Sequence, residues 1–137
     1  LFVEAFSLQS IRRAREVYET TDLRERLGRY HDDVDSAFRG WNDIWLDERF
    51  KSWNIEAEVA RVECPILAIQ GLDDEYGTME QIDRIARLRP GVKLCKIESC
   101  GHSPHRDQPH EVLRVTAEFV SSLDLPGEGH PLPVAAS

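Results

Sequence analysis

Apolar residues in the second half of the chain alternate between short unbroken runs and helical spacing. Ile66, Leu67, Ala68 and Ile69 follow Pro65 with no polar face, and the run stops at Gly71, Asp73 and Asp74. A run of that length without polar alternation predicts a strand covered on both sides, as in a parallel sheet between helices. Met79, Ile82, Ile85 and Leu88 then recur at helical spacing behind Thr78, and Gln81 three positions after Thr78 completes a capping-box pattern. Pro90 and Gly91 stop that helix, and Val92 to Ile97 predicts a second strand, with Lys93 and Lys96 as in an edge strand. Pro109 opens a last helix with Val112, Val115, Phe119 and Leu123 inward. Strand, helix, strand, helix is one unit of an open parallel sheet, in which crossovers are right-handed. Two strands make too small a sheet of this kind to stand alone. Further strands are therefore expected from a preceding part of the protein or from another chain.

The first half is helical. Leu8, Ile11, Ala14, Val17 and Tyr18 form an apolar stripe, with Ser7 as the expected N-cap and Arg12, Arg13, Arg15 and Glu16 on the other face. Asp22 with Glu25 reads as a carboxylate capping pair for a short helix ending near Gly28. A third helix begins near Asp33 and lines up Val34, Phe38, Trp41 and Trp45. The three rings either fill the junction beneath this helical layer or wall a binding pocket, and Trp53 fits either place. The expected organisation is a helical lid or cap over residues 1–60, a core portion over 61–123, and a disordered tail over 124–137, where prolines and glycines cluster. His130 falls in that tail and reads as a solvated residue.

Composition narrows the function classes. The 137 residues carry 17 Lys and Arg against 25 Asp and Glu, a net charge of −8, with acids spread along the chain, so a nucleic-acid partner is not expected. The first residues, Leu1 to Phe6, lack an initiator methionine, a signal peptide and a membrane span, and read as the interior of a longer chain. Cys64, Cys95 and Cys100 are odd in number and follow no metal-ligand spacing, which suits reduced thiols and a cytoplasmic location.

The chemistry sits where parallel sheets place it, beyond the carboxyl ends of strands. Asp74 follows the first strand and His102 the second, so the loops that carry them emerge as neighbours. A carboxylate bonded to one imidazole nitrogen fixes the tautomer and stabilises the imidazolium formed when the other nitrogen takes a proton. Asp73 is the competing acid. Gly101, before the histidine, is expected to let the backbone turn without a side-chain clash. His102, His105, Asp107 and His110 fall close together and raise a metal site as an alternative, against which Pro104 and Pro109 interrupt any single helix presenting them. A purely structural Asp74–His102 bond, in a binding or scaffold module without catalysis, is another.

The pattern Pro65-x-Leu67-x-Ile69-x-Gly71-x-x-Asp74, then Gly101-His102, then Asp107-x-Pro109 opening a helix, resembles the C-terminal third of α/β-hydrolase-fold enzymes. Acid before histidine matches that family's order of nucleophile, acid, histidine. The resemblance covers roughly residues 60–123 and implies Asp74 as triad acid and His102 as triad base. The helices before the acid's strand look like the lid this family inserts there, with Trp41 and Trp45 as candidate substrate-binding residues. It implies an esterase- or lactonase-like hydrolysis of a small apolar or aromatic carbonyl substrate and no cofactor. The same skeleton supports dehalogenation and carbon–carbon hydrolysis. The chain departs from the pattern in one respect: no Gly-x-Ser-x-Gly elbow and no His-Gly-Gly segment occurs in it. The nucleophile and oxyanion donors are thus expected outside this chain, which alone is expected to be inactive.

Overall fold

In the computed structural model, which describes residues 1–123, seven helices accompany two strands. The expected tail, 124–137 with His130, lies outside the described residues. Helices α1 (Ala5–Thr20), α2 (Leu23–Leu27) and α3 (Val34–Leu46) come first, followed by a 3₁₀ turn over Glu48–Phe50 and the single turn α4 (Glu56–Val59). Strand β1 (Leu67–Gly71), helix α5 (Glu80–Leu88), strand β2 (Lys93–Ile97), the short α6 (Pro104–Asp107) and α7 (Pro109–Ser121) complete the order.

The strands pair in parallel, Leu67 opposite Lys93 through Gly71 opposite Ile97. Lys96 forms an ion pair with Asp83 of α5 at 2.7 Å. Its neighbour Cys95 instead shares a groove with Leu67 and with Val115 and Phe119 of α7. Successive strand residues face opposite sides, so α5 and α7 cover the two faces of the sheet. Ala68 and Ile97 are buried, whereas Leu67 and Ile69 are only half covered, as expected of a sheet this narrow.

The helical layer has its own small core. Leu8, Ile11 and Tyr18 of α1 are buried, the Tyr18 ring stacks on Phe38 of α3 at 3.8 Å, and its hydroxyl donates to Asp35 at 2.7 Å. Asn42, completely buried on α3, donates to the Ile11 carbonyl at 2.9 Å and accepts from Arg15 at 2.8 Å. A polar side chain so placed is stabilising only because both ends of its amide are bonded. Helix α3 begins where expected, with Asp33 as its cap, accepting from the Ser36 amide at 3.0 Å.

Three expected caps take other forms. Helix α1 begins two residues before Ser7, behind Glu4, so Ser7 lies inside it; its buried hydroxyl donates to the Tyr76 carbonyl across the molecule. Asp22 precedes α2 without a side-chain cap bond. At α5 the Thr78–Gln81 box is replaced: Glu4 accepts from the Thr78 hydroxyl, from the Thr78 amide at 3.0 Å and from Gln81 Nε2 at 2.7 Å. The Thr78 hydroxyl still accepts from the Glu80 amide at 3.3 Å, and the carboxylate from the helical layer binds that layer to the start of α5, where negative charge is favoured.

Candidate active site

Gly71 ends β1 against the backbone that carries the histidine. An added Cβ there would lie 2.0 Å from the Cys100 carbonyl oxygen, so only glycine allows the contact. The approach is fastened by the Leu72 amide on the Ile97 carbonyl at 2.8 Å and the Asp73 amide on the Cys100 carbonyl at 3.0 Å. At Gly101 the expected avoidance of a side-chain clash is seen, without a left-handed backbone. The described residues contain one glycine at positive φ, Gly91, so Gly101 serves space rather than a turn. A Cβ on it would press on Asp107 and Glu75 carboxylate oxygens at 3.3 Å, and its amide donates to Asp107 at 2.9 Å. Ser99, at φ 51°, supplies the left-handed turn of this loop, a conformation costing an L-residue about 1–2 kcal/mol.

These loops bring Asp74 and His102 together. His102 Nδ1 lies 2.9 Å from Asp74 Oδ1 and 3.1 Å from Oδ2. The Asp74 side chain is only 7% exposed, whereas that of His102 is 58% exposed. The carboxylate also accepts from the Tyr76 amide at 2.8 Å and from Gln70 Nε2 at 3.1 Å. A carboxylate surrounded by donors is held in one orientation, and the imidazole partner then carries its proton on Nδ1 and presents Nε2 outward. Asp73, the competing acid, is exposed and meets the histidine loop through its backbone amide.

Sequence reasoning overlooked Gln70 and Tyr76. Gln70 is a single amide at the end of an apolar strand, 6% exposed, and its Nε2 also donates to the Gly77 carbonyl at 2.8 Å. Its position among apolar neighbours was the available signal. The Tyr76 ring meets the His102 ring edge-on at 5.0 Å. Burial, then the nearby Glu75 and Asp74 carboxylates, push its phenol above the ordinary value, so it stays neutral.

A cavity of about 300 Å³ opens beside the pair, lined among others by Phe2, Trp45, Gln70, Tyr76, Asp74 and His102. Trp45 therefore faces the cavity, and it also meets Trp53 at 5.8 Å and Phe50 at 5.3 Å. Trp41 is exposed and outside that lining, edge-on to Tyr76 at 6.1 Å and to Phe38 at 5.7 Å. Among the described residues no group of three His, Cys, Asp or Glu is placed to hold a metal ion, so His102, His105, Asp107 and His110 do not converge. Both His105 and His110 are exposed. No described helix is long and apolar enough to cross a membrane. The three cysteines are free thiols.

No protein-family model matches the chain. Among curated proteins, a proline iminopeptidase from Heyndrickxia coagulans is 27% identical over 89 residues, 61% of this chain and 31% of that protein. A putative carbamate hydrolase, RutD, from Pseudomonas savastanoi pv. phaseolicola is 26% identical over 72 residues, 53% of this chain and 28% of that protein. The chain thus spans less than a third of the length of these relatives. Among solved structures, a serine hydrolase involved in carbazole degradation, the CarC enzyme, superposes with a TM-score of 0.56 at 22% identity, over 66% of this chain and 35% of that one. MGS-M2, an α/β hydrolase from a deep-sea metagenome library of the Medee basin, gives 0.51 at 15% identity over 83% of this chain and 42% of that one. With the parallel β1–β2 pair, its flanking helices and these likenesses together, the chain has a partial α/β-hydrolase fold, and the curated proteins it resembles are named as an iminopeptidase and a putative carbamate hydrolase.

Proposed function

We propose that this chain supplies the acid and the histidine of a nucleophile–histidine–acid triad in a hydrolase of the α/β fold. The observation that carries the reading is the Asp74–His102 bond at 2.9 Å, with the acid buried and the histidine opening on a cavity. Asp74 orients His102 through Nδ1. Nε2 then takes the proton from a nucleophile as that group attacks a carbonyl carbon, and returns it to the departing alcohol or amine. Water repeats the cycle on the covalent intermediate, releasing the acid and restoring the nucleophile. The nucleophile itself, and the donors that stabilise the oxyanion, come from outside this chain, which contains no glycine-framed serine. The open two-stranded sheet fits a complement of further strands from the same protein or a partner chain.

The substrate is a small apolar or aromatic carbonyl compound, an ester or lactone in the first instance, because Phe2 and Trp45 give the cavity an aromatic wall. Residues 1–60 act as its lid, joined to the core by Glu4 and Ser7. A second reading, a hydrolase-like binding module without turnover, is favoured by the missing nucleophile frame alone. The experiment that separates them assays the full-length gene product carrying these residues on p-nitrophenyl acetate and p-nitrophenyl benzoate. The triad reading expects turnover, together with inactivity of residues 1–137 alone. A full-length product that binds such esters without cleaving them supports the second reading.

A further inference from the structure

Tyr76 stands between the helical layer and the Asp74–His102 pair and touches both. Its amide donates to Asp74 Oδ1, the oxygen nearest His102 Nδ1, at 2.8 Å. Its carbonyl accepts from Ser7 Oγ, a hydroxyl on α1 in a residue only 3% exposed. Its ring meets His102 at 5.0 Å with the planes 61° apart, and Trp41 of α3 at 6.1 Å and 75°.

We propose that Tyr76 is a positioning residue, which holds the His102 ring in the plane that serves the reaction and makes that plane depend on where α1 and α3 lie. The proposal rests on the reading of Asp74 and His102 as acid and base given above. The contact of Nδ1 with both Asp74 oxygens fixes where that nitrogen sits but leaves the imidazole free to turn about it, and the His102 side chain is 58% exposed. The edge-on Tyr76 ring removes that freedom, since such aromatic pairs have a preferred geometry. Tyr76 is itself held by the layer above. Aromatic contact runs without a break from Tyr18 on α1 through Phe38 and Trp41 on α3 to Tyr76 and then His102. A displacement of the helical layer therefore reaches Nε2 through packed rings and through the Ser7–Tyr76 hydrogen bond. The ring, not the phenol, does this.

The test measures kcat and KM of the full-length gene product for p-nitrophenyl acetate, with thermal melts to show that each variant is folded. Tyr76→Leu is expected to lower kcat by about tenfold or more with KM little changed, because misplacement of a reacting group costs rate before binding. Tyr76→Phe, which keeps the ring, is expected to recover most of the kcat that Tyr76→Leu loses. A folded Tyr76→Leu protein with parental kcat, beside an inactive His102→Gln protein, overturns the positioning role and leaves the triad reading standing. Parental activity in His102→Gln overturns both. If Tyr76→Leu does not fold, Ser7→Ala decides: it is expected to lower kcat about threefold at constant KM by loosening the contact with α1. An unchanged kcat there overturns the proposal.

Discussion

The Cα of Gly71 and the carbonyl of Cys100 are so close that a methyl group on the glycine would overlap the oxygen, 2.0 Å from Cβ to O. The contact joins the end of β1 to the loop after β2, and so sets the distance between the acid and the histidine. Because the obstacle is backbone, no rotamer change relieves it. Gly71→Ala is expected to destabilise the protein by about 3 kcal/mol or more. Gly40, inside α3 with open space where its Cβ would stand, gives the opposite result. Gly40→Ala should stabilise by about 0.5–1 kcal/mol through the lower entropy of the unfolded chain. Urea unfolding of the two variants checks both signs.

Acid should loosen the helical layer from the core. Burial alone pushes the Glu4 carboxyl up, but hydrogen bonds from Thr78 and Gln81 together outweigh it and hold the group below its ordinary value. A carboxylate depressed on folding contributes stability that is fully present above its unfolded value and is lost as pH falls through its folded one. Glu4→Gln is therefore expected to cost about 1 kcal/mol at neutral pH and to converge on the parent in strong acid, where both side chains are neutral. Melting curves of parent and variant from neutral to acid pH follow that convergence.

Trp45 and Trp41 should differ in effect because, of the two, Trp45 lines the cavity and Trp41 does not. Trp45 lines the cavity, and its replacement by alanine enlarges the wall directly. Trp45→Ala is expected to shift the preference between p-nitrophenyl benzoate and p-nitrophenyl acetate by about tenfold or more, the scale on which an apolar pocket discriminates. Trp41→Ala, which removes the ring edge-on to Tyr76, should lower turnover of both esters together. Equal preference in the parent and in both variants would remove the aromatic wall from the account of specificity.

The elements of the core were legible because their signals were local. The apolar run before Gly71, the Pro90–Gly91 stop and the spacing of Val112, Val115 and Phe119 each identify an element without reference to the rest of the chain. The caps were legible only in part, because a cap is a contest between local and distant partners. Asp33 bonds the Ser36 amide three positions on, a local cap not named from the sequence, whereas Thr78 and Gln81 turn to Glu4, 74 and 77 positions away. Helix α6 went unseen for a simple reason: at four residues it has no period to detect. At the site, Asp74 and His102 stand out as a charged residue and an imidazole beyond apolar strands. Gln70 hides inside one of those strands, and Tyr76 acts through its backbone and its ring edge, which residue type alone does not reveal.

The central claim is that His102, held by Asp74, moves the proton in a hydrolytic reaction. Its most direct test is the kcat/KM of the full-length gene product for p-nitrophenyl acetate in the parent, in His102→Gln and in Asp74→Asn, with folding verified by circular dichroism. Removing either member of such a relay is expected to lower kcat/KM by about 10³-fold or more. Folded variants within about threefold of the parent, well short of the effect of losing a general base, would contradict the account.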